Sequence, residues 1–311
     1  MSEKSASSVV VFAPSPIVTV TVEDRAGGPE LHVHAGGQGV WQTRMLTALG
    51  TPVVLCAGLG GETGRLLERM IADDGVELRW VPTAGRNGGY VHDRRDGGER
   101  SEIATEHPAP LDRHELDALY ELTLAEGLCA GTVLLSGAQA DDVVPASIYR
   151  RLAADLRANG VRVVADLSGH RLEAAVQGGL DLLKVSDEEL VEHDRAASRS
   201  LDDVVRAACG LRNEGVDRVV VSRAGEPAVA VDASRILLVT PPPVTTADPR
   251  GAGDSQTAGM TARLAAGDDW EDVLRVGAAC GALNVVRHGL GTGRDETVDV
   301  FAARVELSTH P

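Results

Sequence analysis

Aromatic side chains are scarce in this chain of 311 residues: Phe, Trp and Tyr together make up 3%. Stacking platforms for nucleobases are therefore few. Cysteine is sparse too. The four, at 56, 129, 209 and 280, form no Cys-x-x-Cys pair, which argues against a zinc site or a disulfide framework and for a reducing, cytoplasmic setting. Positive charge is in deficit, since 30 Lys and Arg against 46 Asp and Glu leave a formal net charge of −16. The basic footprint expected of a nucleic-acid or membrane-surface partner is missing, so any anionic ligand must be gripped locally. The apolar stretch after the polar amino terminus is interrupted by Pro14 and Pro16, too short for a signal-peptide core or a membrane span.

What the chain does have is alternation. Short apolar runs at Val53 to Cys56, Val133 to Leu135, Val161 to Ala165, Leu182 to Val185 and Arg218 to Val221 read as buried strands. Helical patterns lie between them at 61–73, 112–126, 145–159 and 200–214. This predicts an α/β fold, a mostly parallel central sheet flanked by helices. Asp112 followed by Glu115 marks a capping box. Two stretches, 17–34 and 88–104, read as strands with no helix between them, with turn signals at Gly27-Gly28-Pro29 and Asp96-Gly97-Gly98. They predict a small β lid over about 16–34 and 86–104, carried as an excursion of one domain spanning 1–311.

Near the carboxyl end, Pro241-Pro242-Pro243 leads into Gly251-Ala252-Gly253, and a helical run follows from Asp254 to Ala266. Glycines allow backbone N–H groups to converge, and a helix start adds the positive end of its dipole, so such a loop holds an anion. Asp254 beside it suits phosphoryl transfer, accepting a proton from an attacking hydroxyl. Taken alone, Asp254 reads equally well as an ordinary helix cap.

Further glycine-rich and polar turns follow in order: Gly36-Gly37-Gln38-Gly39, Gly58-Leu59-Gly60-Gly61, Asp166-Leu167-Ser168-Gly169, Lys184-Val185-Ser186-Asp187-Glu188-Glu189 and Val220-Val221-Ser222-Arg223-Ala224-Gly225. With Asp248-Pro249-Arg250-Gly251-Ala252-Gly253-Asp254, the set resembles the ribokinase-like, phosphofructokinase B carbohydrate kinases over nearly the whole chain. Pro14-Ser15-Pro16 and Ser136-Gly137 are most similar to the 1-phosphofructokinase and tagatose-6-phosphate kinase branch.

The resemblance implies an ATP-dependent kinase that uses magnesium and phosphorylates a hydroxyl of a sugar phosphate such as fructose 1-phosphate or fructose 6-phosphate. It implies Asp254 as general base, with Gly251, Ala252 and Gly253 as the anion hole. Gly36, Gly37, Thr19, Trp41, Arg86, Ser136 and Asp248 would border the acceptor. Lys184, Ser222, Arg223, Gly225 and Asn284 would border the nucleotide, and Glu189 would hold magnesium through water. It also implies a homodimer formed through the lid.

The acceptor side departs from the family pattern. Thr19 is aligned with the family's sugar-binding Asp and Trp41 with its Asn, which removes two polyol partners. A nucleoside or other non-sugar alcohol as acceptor, or a ligand sensor with weak activity, are the alternatives. Ser186 stands for an Asn, Ala224 for a Gly and Pro249 for a Thr. Trp41, Met45 and Leu49 also share one helix face, so Trp41 reads as core or as ligand wall. Gly58 to Gly64 reads as a tight strand-to-helix turn and not a dinucleotide fingerprint. His32 and His34 read as ordinary lid residues, and Arg94, Arg95 and Arg100 as a solvated lid edge.

Overall fold

A computed structural model describes residues 8–95, 101–286 and 295–310. The chain begins β1 (Val9–Phe12), β2 (Ile17–Arg25), β3 (Gly28–Gly36), α1 (Gln38–Ala48), β4 (Val53–Gly60), α2 (Gly61–Asp73), β5 (Glu77–Thr83), β6 (Gly89–Asp93) and β7 (Ser101–Glu106). It continues α3 (Arg113–Ala130), β8 (Thr132–Ser136), α4 (Ala146–Ala158), β9 (Arg162–Asp166), α5 (Gly169–Gly178), β10 (Leu182–Ser186), α6 (Asp187–Glu192), α7 (Leu201–Asn213) and β11 (Val219–Arg223). It closes with β12 (Glu226–Val231), β13 (Ile236–Thr240), α8 (Ala252–Ala266), α9 (Trp270–Val285), α10 (Asp295–Ala302) and β14 (Glu306–Thr309).

Ten strands form one sheet in the order β14-β13-β12-β11-β10-β9-β8-β1-β4-β5. From β11 to β5 every pairing is parallel, as the alternation predicts. Strands β12, β13 and β14 add an antiparallel edge that the sequence reading did not contain. The period of two along β1 sorts its side chains to opposite layers. Val9 and Val11 pack with Met45 of α1, Leu67 of α2 and Leu274 of α9, whereas Val10 and Phe12 pack with Leu119 of α3, Leu152 of α4 and Val204 of α7. Both faces are thus covered, which is why these strands read as continuous apolar runs. Asp112 caps α3 in a complete capping box with Glu115.

The lid is a second sheet, β3-β2-β6-β7, built from the two stretches expected. The turn signal at Asp96-Gly97-Gly98 and the residue Arg100 lie outside the described residues. Among the described residues no helix is long and apolar enough to cross a membrane. The order of strands reverses between β1 and β8, where the chain runs outward in both directions. In open α/β sheets such a switch point opens a crevice at the carboxyl ends of the strands.

Candidate active site

A cavity of about 420 Å³ occupies that crevice. Its walls come from Ala13 after β1, Gly137 to Gln139 after β8, Asp166 to Ser168 at the end of β9 and Glu189 of α6. The lid adds Ile17 and Tyr90, the α1 region adds residues 37–41, and α8 adds Asp254.

Gly251 stands at the N-cap of α8 with φ 70 and no side-chain cap. That left-handed backbone leaves the first N–H groups of the helix to an incoming anion. Gly253 leaves room for Lys184: a Cβ there would lie 2.5 Å from its Nζ. The lysine thus ends directly against the loop. Asp254, in the first turn, does not cap its own helix but faces the cavity. The cap reading of this residue is therefore replaced by one in which the carboxyl faces a ligand space. Burial, then the charge of Asp166, pushes its carboxyl up to about 7, against the pull of Lys184 and a hydrogen bond from Gln38. For Lys184, burial opposes the charge. The carboxylates of Asp166, Glu189 and Asp254 outweigh it, so the ammonium is retained.

Asp166 organises this end of the site. It is 2% exposed and accepts hydrogen bonds from Gln42 Nε2 at 3.1 Å, Thr257 Oγ1 at 2.8 Å and Lys184 Nζ at 3.4 Å. Gln42 is oriented in turn by Ser136, whose Oγ donates to its Oε1 at 2.5 Å. Gln38 accepts from the Gly137 amide at 2.6 Å, which frees its NH₂ for Asp254. Sequence reasoning missed Asp166, Gln38 and Gln42 as site residues. The signal for Asp166 was available, since it ends a buried strand at the carboxyl edge of a parallel sheet.

Glu189 and Ser186 close a capping box on α6: Oε2 of Glu189 accepts from the Ser186 amide at 2.8 Å and its hydroxyl at 2.7 Å. Ser186 is thus the helix cap, and Glu189, whose Oε2 is taken up by that box, also lines the cavity. Among the described residues no set of three or more His, Cys, Asp or Glu forms a direct metal cage.

The structure reassigns several expected contacts. Thr19 is buried with its hydroxyl unpartnered, and Ile17, two residues earlier on the same strand face, lines the cavity in its place. Trp41 is both core and wall: it is 8% exposed, lines the cavity and carries the Arg44 guanidinium 4.8 Å from its ring centroid. Gly37 lines the cavity, whereas Gly36 and Ser136 are buried behind it. Arg86 is not among the residues that line the cavity; 62% exposed, its Nε pairs with Glu106 at 2.9 Å.

Asp248 is also buried and off the wall. It accepts from the Arg250 amide at 3.1 Å and Nε at 2.8 Å, and from Arg94 of the lid at 3.2 Å. Burial resists its ionisation, but the Arg250 bonds and the Arg250 and Arg94 charges hold the carboxyl down at about 2. Arg94 is therefore a partly buried link and not a solvated edge. Asn284 is 1% exposed and donates to the Arg250 carbonyl at 2.5 Å while accepting from Ser255, so it braces the loop.

Ser222, Arg223 and Gly225 lie at the β11–β12 turn beside β10, outside the cavity wall. There Ala224 adopts a left-handed φ of 48, the conformation that favours glycine.

The comparisons with known proteins agree with this geometry. A family model described as pfkB family carbohydrate kinase matches residues 11–297. The chain is 29% identical over 272 residues to ATP-dependent 6-phosphofructokinase isozyme 2 of Escherichia coli K12, covering 86% of this chain and 87% of that one. To the 1-phosphofructokinase of Rhodobacter capsulatus it is 31% identical over 288 residues, covering 90% and 88%. The structure of the tetrameric inhibited form of phosphofructokinase-2 from Escherichia coli superposes with a TM-score of 0.84 at 26% identity, covering 96% of this chain and 98% of that one. With an anion loop, its aspartate and a buried lysine assembled at the switch point, and the family model spanning most of the residues, the chain belongs to the pfkB family of carbohydrate kinases.

Proposed function

We propose that the protein transfers the γ-phosphoryl group of ATP to a hydroxyl of a sugar phosphate, with fructose 6-phosphate and fructose 1-phosphate as first acceptors. The observation that carries this is Asp254: a carboxyl raised to about 7, on the cavity wall, beside the N–H groups of α8 and the Lys184 ammonium. The hydroxyl oxygen attacks phosphorus as its proton passes to the Asp254 carboxylate. The bond from phosphorus to the bridging oxygen breaks, and ADP leaves with that electron pair. The 251–253 amides and Lys184 hold charge that develops on the phosphoryl oxygens. Magnesium, which neutralises nucleotide phosphate oxygens when bound, fits the free Oε1 of Glu189 through water, as a hard cation that keeps its waters. The lid excludes water as a competing acceptor.

The same reading takes residues 1–311 as one kinase domain, placed in the cytoplasm and paired as a homodimer through the lid. Exposed Leu31 and Ile103 on β3 and β7, at 69% and 57%, support that pairing, and the absence of any disulfide supports the compartment. A second reading, a nucleoside or other flat alcohol as acceptor, is favoured by Trp41 and Tyr90, which both line the cavity. A panel of sugar phosphates, free sugars and nucleosides with ATP and magnesium, read by product identification, decides between them. Transfer to nucleosides alone overturns the first reading, and transfer to none overturns both.

A further inference from the structure

We propose that Arg171 is the residue that grips the acceptor's anionic group, and that a phosphorylated acceptor is selected through it and not through Arg86. The inference rests on the kinase reading above. Asp166, Glu189 and Asp254 bring three carboxylates to the cavity wall, and among the described residues that line it Arg171 is the one cationic side chain. A phosphate entering that space needs a cation that is already stripped of water and fixed in place.

Arg171 meets that requirement. Its side chain is 11% exposed, and its Nε is buried with no hydrogen-bond partner. Nη1 donates to the Ala138 carbonyl at 2.7 Å, and Nη2 donates to Asp141. The Asp141 side chain is 91% exposed. It is a solvated anion outside the cavity wall, and an exposed partner of this kind is readily exchanged for a stronger anion. The bond to Ala138 sets the guanidinium against the turn after β8, where a Cβ on Gly137 would lie 3.0 Å from Nη1, and Ile17, Gly37 and Trp41 line the same cavity. Lys184 on β10 serves the opposite end, under the 251–253 loop. Charge is thus divided, with Lys184 for the transferred phosphoryl group and Arg171 for the acceptor's own anion. Arg86, paired with Glu106, is left outside this division.

The test is calorimetric titration of the full chain with fructose 6-phosphate and with fructose 1-phosphate, without nucleotide. Wild type binds; Arg171→Met weakens binding by about thirtyfold or more, in the range of a lost charge-assisted bidentate contact. Arg171→Lys falls between, and Arg86→Met stays within about threefold. Asp141→Asn, which keeps the fold and removes the competing anion, tightens binding. In turnover, Arg171→Met raises KM for the sugar phosphate and leaves KM for ATP unchanged. Loss of binding in Arg86→Met with retention in Arg171→Met overturns the inference, as does a rise in KM for ATP alone. Transfer to unphosphorylated alcohols only, with no sugar phosphate bound, sinks the inference and leaves the kinase reading standing. Sugar-phosphate binding that depends on Arg171, without transfer to any acceptor, does the reverse.

Discussion

Asp254 is held in a state that folding alone does not favour. Its carboxyl is raised by burial and by Asp166, so ionising it in the folded protein costs stability as pH rises from the unfolded value near 4 to about 7. The same shift places it where a general base works best at neutral pH. The account expects kcat/KM to rise with pH through an apparent pKa of about 7. It also expects Asp254→Asn to melt several degrees higher than wild type at pH 8, a gain that shrinks towards pH 4. Equal melting temperatures at both pH values would show that the carboxyl is not strained. The placement of Asp254 and Glu189 on the cavity wall, and of Lys184 against Gly253, was legible because each stands in a short motif. Asp166, Gln42 and Arg171 were not, since each acts through partners more than 15 residues away in sequence. Thr19 was misplaced by two residues, a shift that keeps strand parity and so leaves no mark in the apolar pattern.

At the scale of elements, the lid and the anion loop are joined. Arg94 follows β6, bonds its amide to the Val22 carbonyl of β2 and reaches both Glu23 and the buried Asp248. Asp248 in turn fixes Arg250, three residues before Gly253. Closing the lid therefore bears on the geometry of the loop proposed to hold phosphoryl oxygens. Arg94→Met should lower kcat by roughly two- to thirtyfold, the span of a coupling of about 0.5–2 kcal/mol. It should also raise the share of ATP lost to water relative to acceptor. A fall in kcat with that partition unchanged would mean the link is merely structural. Helices and parallel strands were legible here, α2 over the full expected 61–73, because both layers of the sheet are covered and the strands are continuous apolar runs. The antiparallel edge was not: β14 reaches β13 from 66 or more residues away, and no local period announces such a pairing.

For the molecule as a whole, a net charge of −16 opposes the approach of nucleotide and sugar phosphate alike. Binding must therefore come from the few cations the fold buries. The sequence stated that requirement without naming Arg171, because whether a charge is buried is decided by tertiary packing. In the proposed homodimer the exposed Leu31 and Ile103 of the lid form the pairing surface. Light scattering should return twice the 32.5 kDa chain mass, and Leu31→Asp with Ile103→Asp should return the single mass; an unchanged mass would place the interface elsewhere. The central claim, that Asp254 takes the proton from the attacking hydroxyl, is tested most directly by acceptor-dependent ADP release from wild type and Asp254→Asn at pH 8. A loss of about 10²–10⁴ in kcat with the KM for ATP little changed is the result expected of a missing general base. Comparable turnover in the two proteins would contradict it.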